Sequence, residues 1–430
     1  MKSINNTRKN ILPYIFFSAF TGLLTGAVIF AFKYVSAFVI SVSYKCYSFV
    51  REKPQYLPVI MLGAVILALF LTFLLRFEPN AKGGGIPTSI AALRGHISFN
   101  WLENLITVFI AANITYLCGL PLGNEGPSVQ MGAALGKGSV SLFKNRFSAL
   151  DKDIMTGGAS AGFAAATLSP LTGILFALEE AHKRFSPLIF IASATSVISS
   201  VTTVRVLSRL AGVSPTLFEF DISAKLPTRF IWVPVLVGLV CGICAVIFSL
   251  LHSAVNKLLN DKLSSVPLFL KIAMIFILMT VAGFFSEPLL GSGHSLIETL
   301  LHKSGAIYIL LIYLLIRAFF LLFANNAGIT GGLFLPRLTF GALIGAVIGT
   351  ALISFNLVGE VYYPIIVIIG ITSFMSASSG TPVMAAVFGI EALCGFSNVI
   401  TILVGVIVSF IVTKISEIKS FTDTVVDAKK

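Results

Sequence analysis

Gly123-Asn124-Glu125-Gly126-Pro127, followed by Gly132-Ala133-Ala134-Leu135-Gly136, is the stretch whose reading decides the fold. Glu125 is the single charged residue between Glu103 and Lys137, in sequence that is otherwise mostly apolar. An ionisable side chain at membrane depth costs about 3 kcal/mol or more and persists where something uses it. The pattern returns later in the chain. Gly332-Leu333-Phe334-Leu335-Pro336, followed by Gly341-Ala342-Leu343-Ile344-Gly345, stands at the same internal offset. A second block agrees: Pro170 to Glu179 (PLTGILFALE) matches Pro382 to Glu391 (PVMAAVFGIE), with the same Pro-to-Glu spacing. Two ordered matches predict a duplication, spanning roughly residues 57–210 and 265–416 of a single transport domain, 1–430. Duplicated halves with glycine-broken segments in corresponding positions point to a site at the repeat interface, near the bilayer midplane.

Composition sets the medium. The chain has 430 residues, 56% of them hydrophobic and 11% charged, and its mean hydropathy of +0.96 excludes an ordinary soluble domain. Apolar segments at Ile11–Phe32, Leu57–Leu75, Leu105–Leu120, Leu188–Val204, Ile231–Leu251, Leu268–Phe285, Ile307–Phe323, Ile344–Leu357, Tyr363–Met375 and Val399–Val412 predict an all-α, multi-pass protein of the cell membrane. Several are shorter than the roughly 20 residues of a perpendicular span, which predicts tilted and interrupted helices. Lys2, Arg8 and Lys9 before the first segment, and Lys414, Lys419, Lys429 and Lys430 at the other end, place both termini in the cytoplasm, with an even number of crossings. The first segment reads as a retained span rather than a signal peptide, and no soluble regulatory domain is expected.

The net charge of +12 comes with no basic run among aromatics, so nucleic acid is not an expected partner. Cys241 and Cys244 have redox or metal spacing but lie in an apolar helix without a second pair, and read as core residues. No metal or cofactor is expected.

Three segments share one grammar of glycines, an apolar residue, a proline and a helical run: Gly83-Gly84-Gly85-Ile86-Pro87, Gly123 to Pro127, and Gly332 to Pro336. Proline suits a first helical turn, and glycine upstream lets the backbone turn sharply. Each segment therefore reads as a helix N-terminus, with unpaired N–H groups and about half a positive charge. Three such ends converging would hold a small anion without a lysine or arginine, weakly enough to release it. Glu125, itself an anion, could occupy the ligand's place and leave it on protonation, which couples anion and proton occupancy. A second carboxylate would supply protons from the other side. Glu179 and Glu180 are the candidates, and the 100° between helical neighbours lets only one face the site.

With these motifs in view, the chain resembles the CLC family of chloride channels and proton/anion antiporters, from about Phe16 to Lys414. The family signatures GSGIP, GREGP and GGxFxP correspond here to Gly83–Pro87, Gly123–Pro127 and Gly332–Pro336, with the Pro170–Glu180 block between the last two. The resemblance implies an inverted repeat of many tilted helices and a homodimer with one anion pathway per subunit. It implies the gating role for Glu125 and the internal proton-transfer role for Glu180. It also implies anion ligation by the backbone of Gly84, Gly85 and Ile86, of Asn124, Glu125 and Gly126, and of Leu333 and Phe334. Gly83, Pro87, Gly123, Pro127, Gly332 and Pro336 shape the filter, and Arg317 gives electrostatic support. The sequence departs from the family in three places. Gly84 replaces the filter serine, and Asn124 replaces the arginine of GREGP, as in the fluoride-exporting branch. The C-terminal tyrosine is missing, and counting from Lys414 puts Val408 in its place, with Phe410 nearby.

The function expected is exchange of chloride or fluoride for protons across the bilayer, with a passive voltage- or pH-gated chloride channel as the alternative. A more distant reading is an intramembrane serine hydrolase, because Gly158-Ala159-Ser160-Ala161-Gly162 fits G-x-S-x-G. His294 reads as part of a polar turn between helices rather than a pH sensor.

Overall fold

The computed structural model describes residues 2–142, 151–214, 216, 218 and 224–429. The first half of the chain forms α1 (Lys2–Glu52), α2 (Leu57–Phe77), α3 (Ile86–Leu93), α4 (Trp101–Leu117), α5 (Glu125–Ser141), α6 (Asp151–Thr167), α7 (Pro170–Leu175) and α8 (Pro187–Ala211). The second half forms α9 (Trp232–Lys257), α10 (Leu268–Phe285), α11 (His294–His302), α12 (Ile307–Asn326), α13 (Phe334–Ser354), α14 (Tyr363–Ser379), α15 (Pro382–Phe388) and α16 (Val399–Ile415), and α17 (Phe421–Asp427) closes the chain. The fold is an all-α inverted repeat, and its element order runs long, long, short in each half. The eight-residue α3 has its counterpart in the nine-residue α11, and α7 and α15 have six and seven residues. Among the described residues, nine helical segments are long and apolar enough to cross a membrane, with α4 a shorter apolar helix.

Two departures from the expected spans have physical causes. The first apolar run was expected to stop at Phe32, before Lys33, yet α1 continues through it to Glu52. The Lys33 ammonium donates to Ala166 O at 3.0 Å, so the helix carries a cation inward without leaving it bare. α5 and α6, each 17 residues, were absent from the hydropathy reading because alanine, glycine and serine dominate them. They lie inside the molecule, faced by protein rather than lipid. Their glycines set the packing distance: a β-carbon on Gly132 would collide with Gly158 O, and one on Gly158 with Gly132 O. The second half repeats the device, with Gly341 and Gly370 in the same mutual contact between α13 and α14.

This packing corrects the hydrolase reading. Gly158 and Gly162 are contact points along α6, and buried Ser160 stands in mid-helix with its hydroxyl 3.4 Å from that of Ser193. A nucleophile elbow needs a strand-to-helix turn, and the one bridge in the described residues outside helices joins Gly123 to Gly332.

A series of contacts ties α1 to α17 by way of α6. Tyr14 donates to Asp153 at 3.0 Å, Thr156 in the next turn of α6 lies 2.9 Å from His182 Nε2, and Lys183 pairs with Asp423 of α17. Lys430 lies outside the described residues.

Candidate functional site

The three glycine-broken segments come together. Gly123 N–H donates to Gly332 O at 2.8 Å, and Gly332 N–H returns a bond to Gly123 O at 2.6 Å, an antiparallel bridge between the two repeats. The third loop is stitched to the second repeat: Gly83 N–H donates to Gly328 O at 3.2 Å, and Gly331 N–H donates to Gly83 O at 3.3 Å. Tyr116 fixes the junction by donating to Gly123 O at 2.7 Å, and Thr330 does so through Ala81 O at 2.7 Å. Only glycine fits where the loops touch. Gly85 has φ +71°, and a β-carbon there would enter the Gly126 carbonyl.

From this junction α3, α5 and α13 run outward, starting at Ile86, Glu125 and Phe334, each with its proline in the first turn. Gly85, Asn124 and Leu333 occupy the N-cap positions, and none of the three makes a side-chain cap. First-turn N–H groups have no partner within their own helix, so three positive helix ends are gathered in one place. Leu333 also fills the space where a side chain on Gly84 would stand, with its Cδ1 2.6 Å from such a β-carbon.

Glu125 is completely buried, and neither carboxylate oxygen makes a well-formed hydrogen bond. The carboxylate occupies the space a side chain on Gly123 would take, facing the backbone amides of Glu125 and Leu335. Lys33 is the cation that acts on it. Lys33 lines a cavity of about 320 Å³ with Phe30, Tyr34, Val204 and Ser208. Sequence reading missed this lysine; its signal was a lone cation within a long apolar helix.

The paired glutamates divide cleanly. α7 and α15 each run into a wider π-type turn, Phe176–Ala181 and Gly389–Cys394. Glu179 receives N–H bonds from Val383 (3.0 Å) and Met384 (2.6 Å) at the start of α15. Glu391, its repeat counterpart, receives them from Leu171 (2.8 Å) and Thr172 (2.9 Å) at the start of α7. Each carboxylate thus caps the other half's helix, which accounts for the repeated Pro-to-Glu spacing. Glu180 points inward instead, 2% exposed, and accepts from the Thr422 hydroxyl at 3.3 Å. Arg337, 3% exposed, donates to the same hydroxyl at 2.9 Å and, through Nε, to Leu333 O at 3.1 Å. One buried guanidinium therefore links the N-cap of α13 to the surroundings of Glu180. It too escaped the sequence reading, although it follows Pro336 directly.

The remaining residues singled out in the sequence lie as follows. Val408 packs on Gly238 of α9, its Cβ 3.0 Å from where a side chain there would begin. The count from Lys414 stayed on α16, but the chain turns after Ile415 and starts α17, which packs on α3. The aromatic that α17 carries is Phe421, buried, its ring 5.1 Å from Phe248. Phe410 lies near the surface with Lys414 over its ring at 5.2 Å. Arg317 is buried, but its guanidinium donates to the carbonyls of Pro288 (2.9 Å) and Gly291 (2.8 Å) and braces the entry to α11. His294 begins α11, stacked on Phe218 at 5.1 Å and 3.6 Å from Glu298. Cys241 is buried, its thiol 3.6 Å from Gly370 O, with Cys244 partly buried one turn on.

Comparison with known proteins agrees with this architecture. The H(+)/Cl(-) exchange transporter ClcA of Salmonella paratyphi A is 26% identical over 404 residues, covering 92% of this chain and 84% of the relative. Among solved structures, a slow cyanobacterial Cl-/H+ antiporter superposes with a TM-score of 0.87 at 20% identity, covering 96% of this chain and 97% of that one. A CLC-type fluoride/proton antiporter does so with 0.77 at 18%, covering 94% and 96%. At such identities the structures speak for the fold alone. The family model described as voltage gated chloride channel matches residues 66–414, and with that span of the chain accounted for, this multi-pass membrane protein belongs to the CLC family.

Proposed function

We propose that the protein exchanges a small inorganic anion, chloride or fluoride, for protons across the cell membrane. The observation that carries this is Glu125: a fully buried carboxylate, without a well-formed hydrogen bond, at the first residue of α5 where three helix N-termini meet. The names of the ClcA relative and of the two antiporter structures support the reading.

Anion entering among the helix ends and the carboxylate compete for the same amides. A proton on Glu125 removes its charge, frees the amides for the anion and carries the proton inward, so the two occupancies are linked. Glu180 receives the proton on the α17 side, beside Thr422 and the Arg337 guanidinium. The α17 side is the cytoplasmic one in this reading, and the active unit is a homodimer.

Purified protein in sealed vesicles tests this directly. A chloride or fluoride gradient is expected to drive protons uphill, and Glu125→Gln, neutral and similar in shape, is expected to abolish proton movement while anion flux continues. Continued coupling in that variant removes Glu125 from the mechanism. One feature favours a passive chloride channel as the second reading. Gly84 brings no side-chain hydroxyl to the loop junction, which loosens the anion's hold. Brisk anion efflux without proton movement in the unmodified protein would decide for the channel.

A further inference from the structure

Beside the loop junction, on the α17 side, lies a cavity of about 130 Å³ whose lining includes Lys82, Gly83, His252, Asn325 and Lys429. Two polar side chains in its wall are incompletely satisfied. His252 of α9 is 1% exposed and Asn325, near the end of α12, 8%. They meet at 3.0 Å between Nε2 and Nδ2, leaving His252 Nδ1 and Asn325 Oδ1 buried without partners. Phe421 stands edge-on to the imidazole, ring centres 4.9 Å apart, and fixes its plane. The far end of the amide faces the first loop: a β-carbon on Gly83 would lie 3.7 Å from Asn325 Oδ1, and one on Gly84 3.5 Å.

The two ends of an amide have the same shape, and the hydrogen-bond network decides which end points where. With the oxygen toward Gly83 and Gly84, an acceptor is buried against a loop that gives it nothing. Turned by 180°, the oxygen accepts from the imidazole Nε2–H, and the NH2 group points to Gly83 and Gly84, beside the cavity that Lys82 and Lys429 line. We propose that Asn325, its amide fixed by His252, is a specificity-determining anion ligand on the α17-side approach to Gly83–Gly85, giving the side-chain donor that Gly84 lacks. The inference rests on the anion-transport reading and names a ligand within it. A compact donor favours small, strongly hydrogen-bonding anions over large, weakly bonding ones, so Asn325 contributes selectivity as well as affinity.

Titration calorimetry of the purified full-length protein with chloride, fluoride and thiocyanate tests this. Asn325→Ala is expected to weaken binding of the preferred halide about tenfold, the effect of losing one hydrogen bond to a charged group, and thiocyanate binding by less than twofold. Asn325→Asp, nearly the same shape, puts an oxygen where the donor stood and is expected to weaken halide binding further. His252→Leu should reproduce part of the loss and add nothing to Asn325→Ala. Halide binding within twofold of the unmodified protein in both Asn325 variants overturns the proposal. An equal loss for all three anions overturns it too, by assigning Asn325 to the scaffold. Absence of anion binding in the unmodified protein instead overturns the transport reading, and this inference with it.

Discussion

Glu125 is closed off from water without a well-formed hydrogen bond, and the groups that act on its charge are the backbone amides of Glu125 and Leu335, in the first turns of α5 and α13, and the ammonium of Lys33. A carboxylate in such a place is held by dipoles and a neighbouring charge, contacts that an arriving anion can share or displace. Lys429 makes a second single-residue case on the opposite approach. Burial, helped by the neighbouring Lys82, pushes its ammonium down to about 8, and it donates to Lys82 O at 3.0 Å. A lysine with a lowered pKa is charged below that value and neutral above it, whereas an ordinary lysine stays charged to about 10. Lys82 and His252 are the other titratable side chains in that cavity among the described residues. Raising the pH on the α17 side from 7 to 9 should therefore reduce anion uptake severalfold. Lys429→Arg should flatten that drop, because a guanidinium keeps its proton. Flux measured in vesicles at fixed anion gradient reads both.

Among the helices, the clearest device is the exchange of caps between α7 and α15. Glu179→Ala or Glu391→Ala removes two bonds from backbone N–H groups at a helix start, and each should lower stability by about 1–3 kcal/mol. Thermal unfolding in detergent measures the loss. The ratio of protons to anions should stay unchanged in Glu179→Ala and collapse in Glu180→Gln, which separates the neighbours by function. The glycine contacts of α5 and α6 give a steeper contrast. Gly132→Val would drive a side chain into the Gly158 carbonyl, whereas Gly63→Ala on α2 meets nothing within 4 Å. The first variant is expected to lose folded protein on size exclusion, the second to behave as the parent.

For the molecule as a whole, large hydrophobic side chains cover the outside, including Ile198 on α8 and Ile400 and Ile407 on α16. That is the surface of a protein whose solvent is lipid, and a second copy can share it. The proposed homodimer predicts a protein mass of twice the chain in detergent by light scattering; a monomer mass in active protein would refute it. Tyr14 of α1 and Asp423 of α17 are joined by a series of side-chain contacts through α6, and we propose that both ends of the chain face the cytoplasm. Adding a reporter to each end should therefore label the same side of the membrane.

The repeated blocks around Glu125 and Glu391, the three glycine-proline helix starts and the overall hydropathy were legible because they are local: turn chemistry and composition depend on neighbours in the chain. As hydrophobic spans α5 and α6 were not, since the alanine, glycine and serine that let these two helices pack closely give them little hydropathy. Phe421 was hidden because its position depends on a turn between α16 and α17. Lys33, Arg337, Asn325 and His252 look unremarkable in the sequence, and only packing brings them to the loops. The sequence by itself determined the medium, the duplication and the residues that begin the broken helices. Tertiary structure alone decided which of Glu179 and Glu180 is a cap and which charges stand around the path, because those are contacts between residues far apart along the chain.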